Sequence, residues 1–282
     1  MATFERKHTI AIIGGGPGGY EAALAGAQLG AEVTLIERAG VGGSTVLTDV
    51  VPSKSLIATA DAAAAVREAG VLGVKTTVPN GAGENVAPHI SVDLATVNKR
   101  LMEMASAQSS DMRETLLEAG VKIIDGTGAL ASSSTVAITP ENGGETQEIS
   151  ADTIVVAVGA SPRELDSAKP DGERILTWKQ LYSLPELPEH LIVIGSGVTG
   201  AEFASAYQTL GSQVTLVSSR DQVLPGEDSD AAAVIERVFK ASGMTVLNRS
   251  RAKSVVRTGD GVTVELEDGR TVDGSHCLVA VG

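Results

Sequence analysis

The sequence predicts an α/β protein built from two three-layer units of one design, and three observations carry that expectation. A glycine-rich turn between an apolar run and an alanine-rich stretch occurs twice, as IAIIGGGPGGYEAA and LIVIGSGVTGAEFA. The copies stay in register: Gly14, Gly16 and Gly19 are each followed 181 residues later by Gly195, Gly197 and Gly200, and GAEVTLIER at 30–38 is matched by GSQVTLVSS at 211–219. Composition agrees, because 43% apolar residues with 2% aromatics and 32 glycines in 282 positions describe an aliphatic core between tight turns. That length holds about two domains.

Taken in order, TIAII reads as a short buried strand, GGGPGG as a turn, and YEAALAGAQLG as a helix ended by Gly30. AEVTLIER is a second strand. The stretch 42–54, GGSTVLTDVVPSK, reads as a loop, and a helix starts at Pro52 and runs to Gly70. PNGAGENVAPH at 79–89 is a turn-rich loop, and apolar residues at helical spacing in SVDLATVNKRLMEMASAQSSDMRETLLEAG predict one long helix. VKIIDGTGAL and STVAITP are short strands, ENGG a hairpin turn, and ADTIVVAVGA a buried strand. Residues 163–190, with Pro170, Pro185 and Pro188 among charges, read as a connection between domains, so the expected units are 1–162 and 163–282. The second unit repeats strand, turn, helix and strand, carries EDGR as a hairpin turn, and ends on CLVAVG.

A formal charge of −13 opposes phosphate-backbone attraction, so nucleic acid is not an expected partner. Residues 1–13 hold too few apolar side chains for a signal h-region, and no stretch has the length and apolarity of a transmembrane segment, so the expected location is cytoplasmic. The only cysteine, Cys277, lies in an apolar run and reads as a buried structural thiol. His8, His89, His190 and His276 are scattered without ligand spacing, so no metal is expected.

In each copy the glycines let the backbone turn tightly, let a pyrophosphate approach the positive helix end, and let the helix pack against the strand. The candidate cradles are Gly14, Gly16, Pro17, Gly18 and Gly19 in the first copy, and Gly195, Ser196, Gly197, Val198, Thr199 and Gly200 in the second. Each turn alone reads equally as an ordinary strand-to-helix turn; two in register make a pair of Rossmann-like units. Glu37, 23 residues past Gly14 and followed by Arg38, is placed to accept hydrogen bonds from an adenosine ribose and to repel a 2′-phosphate. Its equivalent in the second copy is Ser218, and Ser219 and Arg220 follow with a hydroxyl and a positive charge that suit NADP. Arg220 reads equally as a solvated loop arginine.

The order GGGPGG, IER, GG with PSK following, AVGASP and VIGSGVTGAE resembles the FAD-dependent pyridine nucleotide-disulfide oxidoreductases, the lipoamide dehydrogenase and glutathione reductase group, over the whole chain. The resemblance implies FAD on the first unit, NADP(H) or NAD(H) on the second, and two redox cysteines before Pro-Ser-Lys. Those two positions fall on Thr45 and Val50, so a relay through a dithiol is chemically excluded here. A flavin accepts hydride without one. With RELDSAKPDGERILTWKQLY, the altered loop is similar to the actinobacterial NAD(P)H quinone reductases of the family, which implies a quinone-type small-molecule acceptor.

By the same resemblance Lys54 lies beside flavin N5 and pairs with Glu202, and its ammonium stabilises negative charge arriving with hydride. Gly42, Gly43 and Ser44 are implied at the FAD pyrophosphate, Gly128 and Ala129 at its adenine, and Ala157, Val158, Gly159 and Ala160 at the crossing over the nucleotide. Gly282 closes the second VAVG, in the position Gly159 holds in the first. Family members continue with a Gly-Asp segment that grips the flavin and a domain through which they homodimerise. This chain stops at Gly282, so the expectation is a C-terminal dimerisation domain absent and a first unit lacking its final segment. Two other readings stand beside the quinone reductase: a nucleotide-binding module without activity, and a soluble pyridine nucleotide transhydrogenase, against which Thr45 argues because that group keeps the first cysteine.

Overall fold

The computed structural model describes residues 6–74, 78–79, 85–86 and 90–282. Strand β1 (Thr9–Ile13), helix α1 (Pro17–Gln28) and strand β2 (Glu32–Glu37) are followed by helices α2 (Gly43–Leu47) and α3 (Val50–Glu68). Strands β3 (Val78–Pro79) and β4 (Asn85–Val86) pair antiparallel; the turn-rich loop expected over 79–89 otherwise lies outside the described residues, as do residues 1–5 of the N-terminal stretch. Helix α4 (Leu94–Glu118) leads to β5 (Lys122–Leu130), β6 (Thr135–Pro140), β7 (Gln147–Ser150) and β8 (Thr153–Val156). Then come β9 (Ile175–Leu176), α5 (Trp178–Leu181), β10 (His190–Ile194), α6 (Val198–Leu210), β11 (Gln213–Val217) and α7 (Ser229–Ala241). Strands β12 (Thr245–Leu247), β13 (Ala252–Thr258), β14 (Gly261–Leu266), β15 (Thr271–Gly274) and β16 (His276–Val279) end the chain.

Two compact units emerge, residues 1–52 with 102–161, and residues 53–101 with 162–282. In the first, β1 lies between β2 and β8, all parallel, and β5 continues the parallel run before turning antiparallel into β6 and β7. Period-2 alternation buries both faces. Ile12, Val33 and Leu35 face Ala23 of α1 and Leu116 of α4, while Ala11, Ile13 and Ile36 face Val136 and Ile138 of β6. The result is helix, sheet and antiparallel arm in three layers.

The second unit repeats the plan. β10 lies between β11 and β16, with β12 outside β11 and β9 outside β16, all parallel. Leu191, Val193, Leu216 and Leu278 pack on helices through Phe203, Ala204, Tyr207 and Phe239, and Leu56, Ala60, Leu94 and Leu101 belong to this core. Ile192, Ile194, Cys277 and Val279 pack on Val255, Val262 and Val264 of the three-stranded β13–β14–β15 sheet. Cys277 is fully buried, and burial pushes its thiol pKa up, away from reactivity.

Three expectations change. The stretch 42–54 is not a plain loop but α2 and the first turn of α3, because Gly42 (φ 99°) and Gly43 (φ 58°) supply the left-handed backbone that lets a helix start at once. Strand β8 is not buried: it forms an edge, with Val156 56% exposed, because no strand pairs with its outer side among the described residues. Residues 163–190 do more than connect, since β9 joins the second sheet and α5 starts with a capping box of Thr177 and Gln180. No helix among the described residues is long and apolar enough to cross a membrane.

The second sheet carries a pH-sensitive contribution to stability. His276, buried at the start of β16, has Nε2 3.1 Å from Arg174 Nη1 and Nδ1 3.0 Å from the Ser275 hydroxyl. Burial, and then the Arg174 guanidinium, push its pKa down to about 4; burial also lowers that of His190, whose Nε2 lies 2.9 Å from Thr215 Oγ1. Unfolded imidazoles protonate near 6.5, so between about 6.5 and about 4 the unfolded chain binds more protons and stability falls as pH falls. For His276 the full effect is roughly 3 kcal/mol. Urea midpoints measured from pH 7.5 to 4.5 should decline, and the decline should shrink in His276→Gln.

Candidate functional site

Each glycine turn is built from the same contacts. Gly14 (φ 99°) donates its N–H to Ile36 O at 2.8 Å, and Gly195 (φ 108°) donates to Val217 O at 2.9 Å. A Cβ on Gly14 would stand 2.3 Å from Ala157 O, and one on Gly195 2.1 Å from Ala280 O. The helix behind each turn sits so close that a Cβ on Gly19 or Gly200 would lie 1.8 Å from the carbonyl oxygen of Gly14 or Gly195. Gly16 and Gly197 differ: each caps its helix in extended backbone, without a side-chain hydrogen bond, and a Cβ there meets nothing within 4 Å. The helix N-termini of α1 and α6 therefore face open space, with first-turn N–H groups free of a side-chain cap, which fits a pyrophosphate. Pro17 and Gly18 lie exposed beside the first opening, and Val198 and Thr199 hold the same places in the second.

The ends of the second strands set the difference between copies. Glu37 is 8% exposed; its Oε2 accepts the Gly15 N–H at 2.5 Å, and its Oε1 accepts those of Ala39 and Gly40 at 2.7 and 3.3 Å. Three of about four acceptor sites are thus taken, leaving about one for a ribose hydroxyl. A Cβ on Gly15 would lie 3.1 Å from Glu37 Oε2, a tight contact that the carboxylate would have to yield to. In the second copy both residues change together: Ser196 and Ser218 place their hydroxyls 2.7 Å apart. Ser218 is fully buried and also accepts the Arg220 N–H at 3.1 Å, whereas Ser219, Arg220 and, in the first copy, Arg38 are exposed.

The loops that follow are pinned to the turns. Gly42 donates its N–H to Gly15 O at 2.8 Å, and a Cβ on Gly43 would come within 2.8 Å of Gly16 Cα, which places the loop before exposed Ser44 against the first cradle. The matching donor in the second unit is Leu224, 2.7 Å from Ser196 O and held at φ 51°. Ala157 and Val158 run beside Gly14, followed by exposed Gly159 and Ala160. Gly282, two residues past the Ala280 that abuts Gly195, accepts the Arg163 N–H at 2.7 Å. Gly128 sits on β5 where a Cβ would press Ile13 and Ile36 at 3.1 and 3.3 Å, and Ala129 beside it is exposed.

Lys54 and Glu202 meet. The Lys54 ammonium, early in α3, lies 2.6 and 2.8 Å from the two carboxylate oxygens of Glu202 in the first turns of α6. Both are part of the second compact unit, and their side chains are 54% and 31% exposed. At the other end of α3, Arg67 Nη1 donates to Thr209 O at the end of α6, so these helices are tied at both ends. Thr45, half-buried on α2, and Val50, the exposed first residue of α3, carry no thiol. Among the described residues no group of His, Cys, Asp or Glu is placed to hold a metal, and His89 lies outside them.

Two glycine turns of this geometry on two three-layer units define an α/β protein of the two-dinucleotide class. The chain belongs to the pyridine nucleotide-disulphide oxidoreductase family, whose sequence model matches residues 8–282. FAD and NAD(P)H are that family's cofactors, and at Gly16 and Gly197 both glycine turns open onto free space beside a helix N-terminus, as a pyrophosphate requires. NAD(P)H dehydrogenase (quinone) of Mycobacterium tuberculosis is 48% identical over 282 residues, covering 97% of this chain and 55% of that protein. Dihydrolipoyl dehydrogenase of Zymomonas mobilis is 32% identical, covering 97% of this chain and 57% of that protein. The crystal structure of LpdA from Mycobacterium tuberculosis superposes with a TM-score of 0.88 at 48% identity, over 98% of this chain and 58% of that one. The chain thus spans just over half the length of the relatives it matches.

Proposed function

We propose that this chain is the nucleotide-binding part of an FAD-dependent NAD(P)H:quinone oxidoreductase that works without a redox disulfide. FAD is assigned to the turn at Gly14, with Glu37 on its ribose, and the nicotinamide dinucleotide to the turn at Gly195. The observation that carries the reading is the Lys54–Glu202 pair, 2.6 Å long, with Lys54 four residues past Val50 in a stretch whose Thr45 and Val50 have no sulfur. When bound, the isoalloxazine and nicotinamide supply the hydride chemistry. The chain's own groups bind, orient and neutralise. Glu202 fixes the ammonium in one place, and the ammonium offers positive charge where negative charge arrives, in a geometry set before reaction.

The quinone acceptor is supported by the 48% identical NAD(P)H dehydrogenase (quinone), and NADPH use by Ser218 and Ser219 in the positions where the first unit has Glu37 and Arg38, with Arg220 following. The test is optical. Chain reconstituted with FAD should be yellow, bleach anaerobically with NADPH or NADH, and regain colour on adding a benzoquinone with no thiol present. Protein that takes up no FAD, or bleached protein that the quinone leaves colourless, would sink the proposal.

A further inference from the structure

The loop after β11 does not stand alone. Ser218 donates its N–H to Leu247 O at 2.9 Å, Ser250 donates to Ser218 O at 2.8 Å, and Arg249 donates to Arg220 O at 2.8 Å. Residues 247–250 are therefore zipped along residues 218–220, the segment that would read an adenosine ribose. Arg249 adopts φ 51°, a left-handed conformation rare for a side chain of its size. Its guanidinium Nε lies 2.7 Å from Asp221 Oδ1, on a highly exposed pair. Arg270 reaches the same place, donating to Ser250 Oγ at 2.7 Å while paired with Asp268. In a chain with 22 basic against 35 acidic residues, Arg220, Arg249 and Arg270 thus meet at one junction, two of them held by Asp221 and Asp268.

We propose that Arg249 is a second cation for the 2′-phosphate of NADP(H), acting with Arg220, and that Asp221 is its built-in competitor. This rests on reading the second unit as the nicotinamide-dinucleotide unit. With no 2′-phosphate present, Asp221 satisfies the guanidinium. A dianionic phosphate out-competes one carboxylate for it, because it carries more charge and offers a planar donor fork three acceptor oxygens. NAD(H), with a 2′-hydroxyl, leaves the Arg249–Asp221 pair in place. Asp221 thus sets how strongly the site prefers NADP(H), by the share of the guanidinium it holds.

The experiment is isothermal calorimetry on the whole chain with NADP⁺ and NAD⁺, at two salt concentrations. Arg249→Gln keeps a polar, hydrogen-bonding side chain and removes the charge. It should weaken NADP⁺ by roughly tenfold, leave NAD⁺ unchanged, and flatten the salt dependence of NADP⁺ binding. Asp221→Asn should tighten NADP⁺ by about threefold and leave NAD⁺ unchanged. An Arg249→Gln chain with the parent's ratio of NADP⁺ to NAD⁺ affinity overturns the inference alone. A parent chain that binds neither nucleotide overturns the assignment of the unit, and the inference with it.

Discussion

Gly200→Ala is expected to destabilise the protein by about 3–5 kcal/mol, and Gly19→Ala by a similar amount. Helix propensity argues the other way, since alanine is favoured over glycine inside a helix by about 1 kcal/mol. The steric term decides. Each new Cβ would stand 1.8 Å from a backbone carbonyl oxygen, of Gly195 or of Gly14, and no rotamer relieves a clash with backbone. Relief requires lifting α6 or α1 off its sheet, which loosens the packing of Phe203 and Ala204 in one unit and of Ala23 in the other. Gly16→Ala and Gly197→Ala provide the contrast: with nothing within 4 Å, each should cost no more than about 1 kcal/mol, as a weakened helix cap, yet block dinucleotide binding. Urea unfolding and nucleotide calorimetry on the four variants separate the roles. Equal stability of Gly200→Ala and Gly197→Ala would show that α6 is not seated as described.

The parts of this molecule that were legible in sequence are those fixed by local steric rules repeated twice. A left-handed residue, an open residue and a close-packed residue at positions 1, 3 and 6 of a turn admit little besides glycine, so Gly14, Gly16 and Gly19 announce their geometry and Gly195, Gly197 and Gly200 repeat it. The continuous burial of TIAII and LIVI was legible too, because a strand covered on both faces reads as an unbroken apolar run. The parts that were hidden depend on partners distant in the chain. Leu56 and Leu94 read as generic helix positions, and only the folded chain shows that they share a core with Phe203 and Tyr207. β9 is two residues long, too short for any period to register, and is recruited by the exposed flank of β16.

The second-strand termini show both behaviours at once. That Glu37 and Ser218 differ was plain from the register. That the change from Gly15 to Ser196 is packed against theirs was not, although both pairs lie in the same motif. The Glu37 carboxylate, 2.5 Å from the Gly15 N–H, would crowd a Cβ at 15 to 3.1 Å, whereas the shorter Ser218 lets the Ser196 hydroxyl pair with its own at 2.7 Å. Burial of Ser218 likewise moves the outward-facing chemistry to Ser219 and Arg220, and brings in Arg249, which sequence reading passed over because it lies 29 residues further along on a different strand end.

Lys54→Met should cut the rate at which NADPH bleaches FAD-loaded protein by about 10²-fold while changing unfolding free energy by no more than about 1 kcal/mol. The two magnitudes follow from the same geometry. With side chains 54% and 31% exposed, the Lys54–Glu202 pair is screened by water and adds little to folding. A large kinetic effect from a pair so weakly stabilising requires that the ammonium be valued for where it is held rather than for what it holds together. Glu202→Gln tests that distinction, because it keeps the size of the partner and one acceptor oxygen but releases the ammonium from ion pairing. If Glu202 only positions Lys54, the rate in Glu202→Gln should fall less than in Lys54→Met, and the double variant should be no slower than Lys54→Met alone, the non-additivity expected of residues that act as a unit. Equal and additive losses would assign Glu202 an effect of its own. An unchanged rate in Lys54→Met would remove the ammonium from the chemistry and leave the bound cofactors without help from this pair.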